Sequence, residues 1–191
     1  MMDVFDLHAP AGAREELWPV IRATPWLDWL LLTKRPENFA RMVPWALHDA
    51  FCSETWPNVW LGVSVEDQKT ADERREPMRR LKELGWTIFV SYEPALGPID
   101  WAGWEFADQI IAGGESGPHA RPSHPDWFRG TLDFCQAANI AFFFKQWGEW
   151  LPDDQLDPRN RRDGLIGETD MTWIKIGKKK AGRLLDGREW N

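Results

Sequence analysis

Five short apolar runs punctuate the chain, at residues 28–33, 59–65, 87–92, 109–113 and 140–144, and each gives way to polar or glycine-containing sequence. The runs are rich in Val, Ile, Leu and aromatic residues and nearly continuous rather than alternating, which suits strands covered on both faces, as in a parallel sheet. The intervals between them read as helices. Residues 15–23 form one ahead of the first strand, closed by Thr24-Pro25. Asp67 is placed to cap a charged helix that Pro77 restarts at a first-turn position, giving Met78, Leu81 and Leu84 one apolar face. Ser123, three positions before Asp126 and two before Pro125, reads as the cap of a further helix with Phe128, Leu132 and Cys135 on one stripe. Strands alternating with helices predict an α/β fold with right-handed crossovers, spanning residues 1–150. Residues 151–170, with Pro, Asp, Arg and Gly throughout, read as a surface excursion. A short strand is expected over 172–176 and a basic tail from 177 to 191, both packed on the same domain.

Side chains two apart share a face of a strand, so each predicted strand can be followed past its end. Counting by two pairs Thr33 with Arg35, Ser64 with Glu66, Ser91 with Glu93, Gly113 with Glu115 and Lys145 with Trp147. Gly62, Ser64, Ser91 and Gly113 lie in that phase, and Leu61, Val63, Val65, Ile88 and Val90 in the opposite one. In a β/α barrel the aliphatic face meets the helices and the small-residue face lines the interior. The expected architecture is therefore a partial, open, TIM-barrel-like β/α barrel of parallel strands. Arg35, Glu66, Glu93, Glu115 and Lys145 are then candidate catalytic residues at the carboxyl ends of the strands, where sites of such folds are assembled. The loop Gly113-Gly114-Glu115-Ser116-Gly117-Pro118-His119-Ala120-Arg121 adds candidate ligand-binding positions. Gly113 and Gly114 permit close backbone approach, Ser116 and Arg121 are donors, and Trp147 offers a ring. The loop has no Gly-x-Gly-x-x-Gly fingerprint, and Pro118 and Pro122 interrupt any helical spacing of Glu115, His119 and His124, so no metal site is assigned.

Charge narrows the partners. Thirty acidic and 23 basic side chains give a net charge of -7, which disfavours broad attachment to nucleic acid or anionic membrane. The last 21 residues run the other way, with six Lys or Arg against two Asp or Glu, a local +4. Fourteen Trp against one Tyr point first to core and rim packing. The two cysteines, Cys52 and Cys135, match no metal or cluster spacing and suggest a reducing compartment. With no signal-peptide pattern and no run of ~18 apolar residues, the expected location is the cytoplasm, with no membrane partner.

Several motifs carry a resemblance. They are Leu31-Leu32-Thr33-Lys34-Arg35-Pro36, Asn58-Val59-Trp60-Leu61-Gly62-Val63-Ser64-Val65-Glu66, Ser91-Tyr92-Glu93-Pro94, Gly113-Gly114-Glu115-Ser116-Gly117, Phe143-Phe144-Lys145-Gln146-Trp147-Gly148-Glu149-Trp150 and Gly182-Arg183-Leu184-Leu185-Asp186-Gly187-Arg188. In this order they resemble an uncharacterised phage and prophage family, the gene-product thirty-seven/sixty-eight family, over nearly the whole chain. Longer members carry a cysteine-rich segment similar to the cluster loop of radical S-adenosylmethionine enzymes, and that segment is absent from this sequence. The resemblance implies the substrate-side portion of a radical S-adenosylmethionine-like phage enzyme in a bacterial host, without its iron–sulfur loop. It implies no cofactor in this chain, S-adenosylmethionine and [4Fe–4S] belonging to the longer relatives. Gly-Gly-Glu elements contact S-adenosylmethionine in many such enzymes, but after the second strand, so that role is not carried over to Gly113-Gly114-Glu115. The expected ligand is a small molecule or nucleotide, and self-association through an exposed strand edge is expected. The alternatives are a non-catalytic nucleotide or nucleic-acid binding module using Trp stacking and the basic tail, and a metal-independent hydrolase using two of the glutamates.

Overall fold

The computed structural model describes residues 3–42, 56–156 and 171–191; Cys52 and most of the expected excursion, 157–170, lie outside them. The chain runs α1 (Ala13–Ala23), β1 (Trp29–Thr33), α2 (Phe39–Met42), β2 (Val59–Ser64), α3 (Gln68–Glu83), β3 (Thr87–Tyr92), β4 (Gln109–Gly113), α4 (Pro125–Ala138) and β5 (Ala141–Gln146). It ends with β6 (Trp150–Pro152), β7 (Trp173–Lys175) and α5 (Lys178–Ala181). β1 to β5 form one open, wholly parallel sheet in chain order, and β6 and β7 pair antiparallel beside it.

Paired residues of a parallel sheet share a face. The register Thr33, Val63, Val90, Ile110, Phe142 therefore defines one side, and Leu32, Gly62, Phe89, Gln109, Ala141 the other. The first side is the core: Leu61, Val63, Ile88, Val90 and Ile110 are buried together with Met78 and Leu81 of α3 and Phe128, Leu132 and Cys135 of α4. Phe128 packs edge-on against Phe144, ring centroids 5.0 Å apart. Among the described residues the second side has no helix layer of comparable extent. Phe89 fills part of it by lying across Gly62, where a Cβ would come within 2.0 Å of the ring. Leu30 on this side is 46% exposed.

The connection from β3 to β4 contains no helix and uses indoles in its place. Trp101 and Trp104 are buried against the core, Trp101 packing edge-on to Tyr92 at 5.6 Å and donating its Nε1–H to Thr131 Oγ1 of α4 at 2.9 Å. This is the packing role expected for most of the tryptophans, and Trp18, Trp56, Trp86 and Trp147 are likewise buried.

Helix boundaries correct two readings. Pro77 does not restart α3 but lies inside it, and the exposed Leu84 falls beyond its end. Asp67 does cap the helix, in a reciprocal box with Thr70. The α4 cap is His124 rather than Ser123: the His124 ring accepts from Asp126 N, while the buried Ser123 hydroxyl donates to Ala95 O at 2.8 Å. Ser123 thus ties the start of α4 to the turn after β3 instead of closing the helix end.

The sheet edges differ. Along β5 lies the carboxyl-terminal tail, with Phe144 N bonded to Trp190 O at 3.1 Å and Trp147 N to Gly182 O at 3.1 Å. At β1 no strand pairs on the outer side among the described residues, and only Asp3 reaches it, accepting from Thr33 Oγ1 and Lys34 N. No helix among the described residues is long and apolar enough to cross a membrane.

The Trp101–Thr131 bond joins the helix-free connection to α4 inside the core. Thr131→Val keeps the volume and strands the buried indole N–H, which costs about 1–3 kcal/mol, whereas Thr131→Ser retains the acceptor. Urea unfolding of both variants, with the slope unchanged, reads the difference.

Candidate functional site

The carboxyl ends of the strands carry the chain's polar clusters, and β3 and β5 build the central one. Glu93 follows the end of β3. Its Oε2 accepts from Lys145 Nζ at 2.7 Å and its Oε1 from Gln146 Nε2 at 2.7 Å, both donors belonging to β5. Between these strands stands β4, and the Glu93 carboxylate passes over it at Gly113, where a Cβ would sit 3.2 Å from Oε1. A larger side chain there would close the path.

Strict alternation cannot send two consecutive side chains to one carboxylate. β5 has an irregularity at this point: Ala112 pairs with Phe144, but Gly113 pairs with Gln146, leaving Lys145 as an extra residue. A bulge of this kind re-aims the side chains around it. Gln146 also donates to Ser116 Oγ at 3.2 Å, so the loop after β4 is tied to the same group. Gln146 is buried, and its Oε1 has no hydrogen-bond partner among the described residues.

The second cluster surrounds Glu66, past the end of β2. This carboxylate is largely buried and is held by Arg74 Nη1 of α3 at 2.9 Å and by Lys34 Nζ. Arg74 also donates to Ser64 O at 2.6 Å, and Leu96 N to Glu66 O at 2.9 Å. The segment after β3 therefore runs over the ends of both β2 and β4, since Ala95 N bonds Gly113 O at 3.0 Å.

β1 corrects the expected phase. Thr33 is in register with Val63, so Thr33 and Arg35 do not share the face of Ser64 and Ser91; Leu32, in register with Gly62, does. Arg35 accordingly pairs with Asp6, Nε to Oδ2 at 3.2 Å, and Lys34 is the cation that reaches Glu66.

Glu115 and Arg121 form a pair of their own. Arg121 Nε and Nη2 donate to the two carboxylate oxygens at 2.8 and 2.7 Å, and the Arg121 backbone N–H adds a third bond at 2.8 Å. These bonds hold the Glu115 carboxyl well below the usual range, at about 2. Gly114 is spent on backbone packing: its N–H bonds Gln146 O at 2.9 Å, and a Cβ would lie 2.0 Å from Trp147 O. Trp147 is buried, donates Nε1–H to Leu184 O at 2.8 Å and packs on Phe128 and Phe144, so its ring belongs to the core.

Of the ten sequence-chosen positions, Glu93, Lys145, Ser116 and Gly113 meet at one point, Glu66 stands in the adjoining cluster, and Glu115 with Arg121 forms a separate loop pair. Arg35 points elsewhere. Alternation missed Gln146, Lys34 and Arg74. Gln146 is hidden by the bulge and Arg74 by its place on a helix. For Lys34, the neighbouring Leu31 and Leu32 leave the strand's phase open to either choice.

Among the described residues no three His, Cys, Asp or Glu side chains are grouped to hold a metal ion. Cys135 is a free, fully buried thiol whose pKa burial pushes up to about 12.

The whole chain, residues 1–191, matches the family described as a protein of unknown function (DUF5131). It belongs to that family. No curated protein and no solved structure matches the chain.

The Glu115–Arg121 pair predicts a specific titration. Arg121 favours the charged carboxylate in the folded state, so the pair's contribution to stability is present above the ordinary Glu pKa of about 4.3 and is lost as pH falls toward the folded value of about 2. In Arg121→Gln the Glu115 carboxyl returns toward its ordinary pKa, read as the midpoint of its side-chain carboxyl carbon shift by NMR, and the loss of stability that this pair produces between about pH 4.3 and about pH 2 disappears, the variant being less stable at neutral pH.

Proposed function

We propose that this chain is the substrate-holding side of a phage-family β/α-barrel enzyme of the radical S-adenosylmethionine kind. Its substrate is a polar small molecule bound at the carboxyl ends of β2 to β5. The observation that carries the reading is the meeting of Glu93, Lys145, Gln146 and Ser116 above Gly113. Strands three, four and five contribute to one polar point at the sheet end where α/β enzymes assemble their sites. Glu93 and Lys145 present an acid and a base in contact at this point.

The strand order supports the barrel part of this reading. Parallel strands in strict chain order, with the helices α3 and α4 packed on one side, are the arrangement of a barrel segment, whereas a doubly wound sheet reverses its order. The outer edge of β1, with Leu30 exposed beside it, is where further strands would join.

The residues of this chain do not fit a [4Fe–4S] site. Such clusters need several thiolates close together; the sequence has two cysteines, 83 positions apart, and of these Cys135 is buried with its thiol pKa pushed up. The cluster would belong to the cysteine-rich segment of longer relatives, and no step of the chemistry is assigned to residues here beyond holding the substrate.

The test is assembly in trans. The chain is mixed anaerobically with the separately expressed cysteine-rich segment of a longer relative, reconstituted with iron and sulfide. Co-elution of the two is expected, and, with dithionite as the electron donor, reductive cleavage of added S-adenosylmethionine to methionine and 5′-deoxyadenosine above the level of the segment alone. Two polypeptides that elute separately, with no added cleavage, contradict the reading.

A further inference from the structure

The tail after residue 171 distributes its charge unlike the rest of the chain. Of the 14 described Lys and Arg before it, 11 are within ion-pair distance of a carboxylate. Of the six in it, none is, among the described residues. Although the protein has carboxylates in excess, these cations have no carboxylate partner among the described residues.

Three of the six converge. Lys178, Lys179 and Arg183 line one groove of about 440 Å³ together with Gly182, Lys145 and Gln146. Among the described residues Lys145 is the only one of these four cations matched to a carboxylate, that of Glu93. The nearby Glu149 carboxylate is engaged by Gly117 N at 3.2 Å and pairs with none of them. The three cations of the tail carry no such compensation, and an anion bound among them would offset their mutual repulsion.

The cations are held in place rather than left on a loose tail. Trp147 N and Nε1 bond Gly182 O and Leu184 O, and Ala181 and Leu185 are buried. The Arg183 guanidinium lies over the Phe143 ring, 4.9 Å from its centre, and Nη2 donates to Asn191 Oδ1. Two polar atoms of the lining have no hydrogen-bond partner among the described residues: Arg183 Nε, a donor, and Gln146 Oε1, an acceptor on a buried side chain. Both atoms are shielded from solvent and belong to the packing beneath the groove rather than to its exposed contacts.

We infer that this groove binds a phosphate group, carried by a ligand of nucleotide size, with Lys178, Lys179 and Arg183 as its anion contacts. The groove is shallow and open, so it would hold such a ligand from one side, by its charged group, and Arg and Lys together are the usual donors to phosphate oxygens. The groove borders the Glu93 site through Lys145 and Gln146, but the inference rests on charge and packing at the tail and stands apart from the enzyme reading.

Calorimetric titration of the full chain with inorganic pyrophosphate and with adenosine monophosphate tests it at low salt. One saturable site is expected, weakened about tenfold or more in Lys178→Glu/Lys179→Glu, since losing one charge-assisted contact is worth ~1.4 kcal/mol or more. Lys69→Glu, on the exposed face of α3, serves as the control that leaves binding unchanged. Single-stranded oligonucleotides with and without a 5′-phosphate separate the sources: a requirement for the terminal phosphate extends the site to nucleic-acid ends, and preference for the mononucleotide confines it to small molecules. Absence of saturable binding, or binding equally reduced by Lys69→Glu, or indifferent to the tail substitutions, overturns the inference. Unchanged thermal melting of the variants excludes unfolding as the cause of a loss.

Discussion

The carboxylate of Glu93 spans from the end of β3 across β4 to two donors on β5, and this crossing organises the carboxyl end of the sheet. It depends on three local features together. Gly113 removes the side chain that would stand in the way, the bulge at Lys145 turns two neighbouring donors toward one acceptor, and Ser116 steadies the amide of Gln146 from the loop after β4. A carboxylate this little exposed needs such donors, because leaving it unpaired away from water costs several kcal/mol. The arrangement is therefore both a clasp between strands and the most chemically versatile point of the chain.

Around that point the molecule divides by face. The helix side is a continuous apolar core in which Val63, Ile88, Val90 and Ile110 of the sheet meet α3 and α4. The other side is covered in part by Phe89 over Gly62, carries the buried hydroxyls of Ser64 and Ser91 toward the carboxyl ends of its strands, and exposes Leu30 at its β1 edge. Where the chain lacks a helix, between β3 and β4, indoles supply the missing bulk, and the single bond from Trp101 to Thr131 shows how one polar atom accompanies that much ring into the interior. The abundance of tryptophan is thus largely a packing solution.

Much of this was legible from the residues. All five strands, α1, the Asp67 cap and the stripe of Phe128, Leu132 and Cys135 follow from apolar runs and helical spacing. What alternation could not reveal is where the alternation itself breaks. Lys145 and Gln146 act together only because of an inserted residue, which leaves no mark in an apolar run such as Phe142-Phe143-Phe144. In Leu30-Leu31-Leu32 every position is apolar, so the strand has no polar partner to fix its phase, and Lys34 rather than Arg35 faces the site. Pro77 is tolerated inside α3, a tertiary outcome that overrides its local reading as a helix start. His124 caps α4 because Ser123 is drawn inward to Ala95 O, a contact between segments 28 residues apart.

The crossing of β4 by Glu93 is the claim on which the site rests, and a double-mutant cycle of Glu93→Ala and Gln146→Ala in urea unfolding measures it directly. A favourable coupling of ~0.5–3 kcal/mol is predicted for side chains in contact, disappearing when Gly113→Val blocks the path. A coupling of zero within error in the wild-type background, or one that survives Gly113→Val undiminished, would contradict the account.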